Sequence, residues 1–128
     1  MAGAAGANVL RRLAGIDGVE VSPSAFGEAD AIWCNGKEIA HVDASGALDV
    51  RLTRAVIREL RPSLRADERV TLRPGTSDWI ETRIESDADV DFAVELVERA
   101  AAAHRAAAGE VSKPPPTGSE LARRRRFH

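Results

Sequence analysis

Asn35-Gly36 is the pair that most limits what this chain can fold into. A tight two-residue β-turn of type I′ needs φ > 0 at both central positions, and Asn and Gly reach that region at low strain. The flanking segments, Glu28 to Cys34 and Lys37 to Asp43, therefore read as the two arms of a β-hairpin. In the return arm, KEIAHVD, side chains alternate, so His41 and Asp43 point to one face. A two-residue loop in regular register pairs Cys34 with Lys37, Ile32 with Ile39, Asp30 with His41 and Glu28 with Asp43. Directly paired residues share a face. One face then carries Ile32 and Ile39 near the turn, and Glu28, Asp30 and Asp43 around His41 at the open end. The other carries Ala31, Trp33, Ala40 and Val42. A histidine among carboxylates on a rigid strand can bind a metal, move a proton or form a salt bridge, and spacing alone does not choose among these. Without a metal, the carboxylates favour the charged form of His41.

Outward from the hairpin, the elements follow from periodicity and punctuation. Asn8 is placed to cap a short helix with Val9, Leu10 and Leu13 on one side, ended by Asp17-Gly18. Val19 and Val21 mark a strand that Pro23 stops. After the Ser45-Gly46 turn, Leu48, Val50 and Leu52 alternate with Asp49 and Arg51, the pattern of a half-buried strand. Thr53 caps a helix with Val56, Ile57 and Leu60 inward, closed by Pro62. Strands follow at Val70 to Leu72 and Trp79 to Ile84. Ser86 caps the last helix, whose inward stripe runs Val90, Ala93, Val94, Val97, Ala100, Ala101. Asp87, Asp89 and Asp91 suit its dipole, and Gly109 is its expected stop. The order α-β-β-β-β-α-β-β-α predicts a single α+β domain: an antiparallel sheet of about six strands with helices packed on one face.

Composition sets the boundaries. Residues 1–7 are Met, Ala and Gly only, and 109–128 hold Pro114 to Pro116 and the run Arg123 to Arg126. Both ends have too little apolar surface to offset the entropy of ordering them and are expected to be disordered, which leaves residues 8–108 as the folded unit. The net charge of -2 provides no general basic field for nucleic acid. One cysteine, Cys34, excludes an internal disulfide. No apolar run approaches the roughly 18 residues of a membrane span, and Arg11 and Arg12 interrupt any secretory core. A cytoplasmic protein with no membrane partner is expected.

Other chemistry is thinly represented. The glycines lack the spacing of a phosphate loop. Cys34 lies at the hairpin tip, far from His41, and reads as an inert buried thiol. Trp33 and Trp79 read as core or pocket wall. His104 sits late in the last helix, and His128 in the tail. The arginine run Arg123 to Arg126 is suited to the phosphates of RNA, DNA or acidic lipid, with a solvated tail as the plainer reading.

Glu38-Ile39-Ala40-His41, the following strand and helix, the segment RPGTSDWIETRI and the helix DADVDFAVELVERA stand in an order that resembles the luciferase-domain family. This family comprises small bacterial proteins, mostly of unassigned function, that share a domain with fungal luciferase. GVEVSPSAFG also falls in place, and the resemblance covers roughly residues 13–103. The family's strand reads Glu-Ile-Ala-His-x-His; here Asp43 stands at the second histidine. The histidine that fungal members carry after the middle helix is missing from RADERVTL. The resemblance thus implies the fold, and leaves any oxygen chemistry to His41 alone.

Three functions are compatible with these features. The first is a small-ligand-binding domain of the luciferase-domain family. The second is a cofactor-free, oxygen-dependent oxidoreductase acting on a small aromatic substrate. The third is a nucleic-acid or protein-binding module using Arg123, Arg124, Arg125 and Arg126. The candidate catalytic set is His41, Asp43 and Asp30, with Glu38, Trp33 and Trp79 as ligand contacts. No cofactor is called for, and the lack of partner histidines argues against a tight metal site.

Overall fold

In the computed structural model, residues 2–27, 29–108 and 114–116 are described. The elements are α1 (Ala2–Leu13), β1 (Glu20–Pro23), β2 (Asp30–Cys34), β3 (Lys37–Val42), β4 (Leu48–Arg51), α2 (Arg54–Ala66), β5 (Val70–Leu72), β6 (Trp79–Thr82) and α3 (Asp87–Ala108). This is the order expected from the sequence. The strands form one open antiparallel sheet, β1-β2-β3-β4-β6-β5. β6 pairs with β4 and leaves β5 at the edge, so the connection through α2 passes over the position of β6.

One face of the sheet is the core. Ile32, Ala40, Val50 and Ile80 form a cross-strand row, and all are buried. Val9 and Leu13 of α1, Ile57 and Leu64 of α2, and Val90, Ala93, Val97, Ala100 and Ala101 of α3 pack against that face. The small side chains of α3 let it lie close: Cys34 Sγ–H reaches the Ala101 carbonyl at 3.7 Å. Cys34 is buried, and burial pushes its thiol pKa up, as expected of an inert cysteine. No helix among the described residues is long and apolar enough to cross a membrane.

The turn at Asn35-Gly36 has φ of 53° and 76°, the left-handed pair that the sequence demands. Thr53 caps α2 by accepting from the Val56 N–H at 3.4 Å. It does so at φ 82°, a region that β-branched residues rarely occupy. The carbonyl of Asp78 accepts the Thr53 N–H at 3.1 Å and its carboxylate the Arg54 N–H at 2.9 Å, which pins this entry. Ser86 caps α3 by accepting from the Asp89 N–H, while Asp89 accepts from the Glu85 N–H.

Four expectations change. The hairpin register is not regular: Trp33 faces Glu38 and Ile32 faces Ala40, so Ile39 is an extra residue in β3. Pro62 does not close α2, which runs on to Ala66 because Leu64 anchors the last turn in the core. In α3, Val94 is only half-buried, while Leu96 is 5% exposed. Finally, α1 starts at Ala2, so Asn8 lies inside it and the helix enters the segment set apart as 1–7; alanine's helix propensity supports this. Of the tail 109–128, only Pro114 to Pro116 are described, and Pro116 is buried. Gly109, Arg123 to Arg126 and His128 lie outside the described residues, as does Glu28.

Candidate functional site

The face of the sheet away from the helices carries the chemistry. His41 pairs with Asp49, and Asp49 with Glu81, in one cross-strand row. Glu38 joins this face because of the bulge. Residues three apart on a regular strand point to opposite sides, and the extra residue at Ile39 turns Glu38 and His41 to the same one.

His41 sits between two carboxylates. Its Nε2 donates to Asp49 Oδ2 at 3.0 Å. Its Nδ1 is 2.8 Å from Glu38 Oε2, an ionic contact outside hydrogen-bond angles. Glu38 is 3% exposed and also accepts from Ser24 Oγ–H on the same Oε2 and from the Ala25 N–H on Oε1, both at 2.6 Å. Asp49 also accepts from Arg73 Nη2 at 3.1 Å. Burial opposes the imidazolium, but the bond to Asp49 and the contact and charge of Glu38 outweigh it, and the His41 pKa is pushed up to about 9. His41 is therefore a cation at neutral pH, with both ring nitrogens engaged.

Two aromatic rings flank this cation. Phe26 lies 5.3 Å from the His41 ring centroid and Trp79 lies 5.2 Å from it, with Phe26 and Trp79 edge-on at 5.7 Å. The Arg51 guanidinium lies over the Trp79 ring at 5.8 Å. Phe26 comes from the β1–β2 loop, which the Ser24 and Ala25 bonds to Glu38 tie down, yet it is 56% exposed. Beneath the loop opens a pocket of about 410 Å³ lined by Ser24, Phe26, Asp30, His41 and Asp43.

At the other end of the row, Asp43, Asp49 and Glu81 bring carboxylate oxygens within 4.8 Å of one another. Such a trio offers ligands to a hard cation; Arg73 supplies positive charge there, 3.1 Å from Asp49 and 4.0 Å from Glu81. Burial and the charges of Asp43 and Asp49 raise the Glu81 pKa despite Arg73. Burial of Asp43 acts in the same direction, but bonds from Ser45 and Ala47 and the charge of His41 hold its carboxyl below the usual range.

The residues expected from sequence divide. His41, Asp43 and Asp30 line the pocket, but Asp30 pairs with Pro23 and not with His41. Glu38 is an anchor for His41 and for the loop. Trp79 flanks His41, whereas Trp33 is 1% exposed, packed with Ala25 and Ala31, and donates to the Ser22 carbonyl. The sequence reading missed Asp49, Phe26 and Arg73. Asp49 had a signal: it already stood on the polar side of the Leu48–Leu52 alternation, one turn after His41.

The profile of a known family, described as Luciferase domain, matches residues 36–100, half of the 128-residue chain. No curated protein and no solved structure matches the chain. The matched span includes Glu38, His41, Asp49, Arg73 and Trp79, and begins after the loop that bears Phe26.

Proposed function

The chain belongs to the luciferase-domain family, and from that premise we propose that it binds a small, flat, uncharged molecule in the pocket beside His41. The observation that carries this is the pairing of a pocket of about 410 Å³ with an aromatic ring, an imidazolium and two carboxylates on its walls. That volume falls in the usual range for small-molecule sites. The Phe26 ring offers a stacking surface. Asp43 lines the pocket with its Oδ1 fixed by Ser45 and Ala47, and Asp30 is exposed at the rim. A hydroxylated aromatic matches that pattern, while a ligand carboxylate meets repulsion from both aspartates.

Calorimetric titration with uncharged hydroxylated aromatics, catechol among them, tests this. Phe26→Ala removes a half-exposed ring and should weaken binding about tenfold while the protein still melts in one cooperative step. Equal affinity in that variant, or no binding across the panel, removes the pocket as the site.

A second reading is oxygen-dependent turnover of such a molecule without a cofactor. The charge of His41 favours it, because an imidazolium at the pocket wall offsets the repulsion of the aspartates as a phenolate or enolate forms and reacts with oxygen. Oxygen uptake in the presence of a bound ligand distinguishes turnover from binding.

A further inference from the structure

We propose that α2 carries a separate binding surface, a row of arginines that takes the phosphate backbone of a nucleic acid. Arg54, Arg58, Arg61 and Arg65 recur at helical spacing along α2. At 3.6 residues per turn they fall within an arc of about 60° and form a row about 16 Å long. All four are exposed. Among the described residues none of them forms an ion pair, whereas Arg69 and Arg73 are paired with Asp67 and Asp49. Glu59, the only acid within α2, turns to Arg99 of α3 at 4.0 Å. Asp78, near the helix start, is engaged by the Arg54 N–H and the Arg51 guanidinium. Four guanidinium groups in a line thus face solvent without an ion pair among the described residues.

The rest of α2 indicates which polyanion fits. A helix that settles on an anionic membrane inserts its apolar face between the headgroups. Here that face is spent: Ile57 and Leu64 are buried in the core. A phosphate backbone needs only charge and the planar donors of guanidinium. The net charge of -2 makes the row a local feature, and the exposed acids of α3 (Asp87, Asp91, Glu95 and Glu98) repel phosphate from the neighbouring helix. The row lies on the helix layer, across the sheet from the His41 pocket, so occupation of one site leaves the other free.

Fluorescence anisotropy of the full chain with a labelled 20-base-pair DNA duplex, and with the matching single-stranded RNA, reads the interaction. Four phosphate contacts give a log–log salt slope of about −3.6 on the duplex and about −2.8 on the single strand. The duplex affinity should then fall about a hundredfold between 50 and 200 mM salt. Replacing Arg54, Arg58, Arg61 and Arg65 together by Gln should abolish binding, and replacing them by Lys should keep it. Gln is a good helix former, and the circular-dichroism melt of the Gln variant checks that the fold is intact. Binding that survives the four Gln changes overturns the proposal. So does binding that disappears when only Arg123 to Arg126 are changed to Gln, which assigns it to the tail. Failure to bind either nucleic acid at 50 mM salt overturns it as well, as does binding to phosphatidylserine vesicles alone.

Discussion

At the scale of single residues, His41 sets the pH response. Its pKa is about 9 in the fold, against about 6.5 when exposed. Between those values the folded chain holds a proton that the unfolded chain has released, so stability is full below pH 6.5 and falls as pH rises to 9. The loss amounts to about 3 kcal/mol, on the order of 10 °C in the melting midpoint of a domain this size. Melts at pH 6.5 and 9.5 should show that drop in wild type and little of it in His41→Gln; a flat wild-type profile would separate His41 from its carboxylates. His104 acts on the opposite side. It is buried and bonds the Arg51 carbonyl, and burial lowers its pKa, so its contribution is lost as pH falls below 6.5. The sequence showed that His41 would have carboxylate neighbours but named Asp30 and Asp43 in place of Glu38 and Asp49. Glu38 was misplaced by assuming an unbroken two-residue alternation through Ile39, and Asp49 was missed because the pairing of the next strand with His41 was not followed across the Ser45-Gly46 turn.

At the scale of elements, α2 shows where tertiary packing overrides a local rule. A proline within a helix removes one backbone hydrogen bond and crowds the preceding turn, so a stop at Pro62 was the natural expectation. The helix continues because Leu64, 3% exposed, must reach the core, and the Asp67 N–H then closes the end on the Leu64 carbonyl. The strain should be recoverable: Pro62→Ala is expected to raise stability by about 1–2 kcal/mol, after allowance for the greater freedom of the unfolded chain. Urea denaturation measures this, and a variant no more stable than wild type would mean that the turn accommodates proline without strain. The hairpin turn and the Thr53 and Ser86 caps were legible because each depends on residues a few positions apart. The Phe26 loop was not, since what fixes it is Glu38, a partner 13 and 14 positions away in the chain.

At the scale of the molecule, element order and the burial of one sheet face could be read from alternation and helical periodicity, because both record which side meets the core. The lateral order of strands could not: no local signal tells β6 to insert between β4 and β5. The core itself is centred on the sheet-facing line of α3. Val97 is 0% exposed and Val94 half-buried. Val97→Asp should therefore cost several kcal/mol, comparable to the whole stability of a small domain, and Val94→Asp much less. Denaturation curves that rank the two the other way would mean that α3 is rotated about its axis. The bulge at Ile39 makes the His41 site depend on arithmetic more than on identity. Many apolar residues can stand at position 39, and the strand must bulge there to bring Glu38 and His41, three apart, to one side of the sheet; with the position removed the two stand two apart, and a regular strand holds them on one side without a bulge. Substitution scans leave that relation invisible, and a single in-frame codon deletion, which should keep the pair together, exposes it.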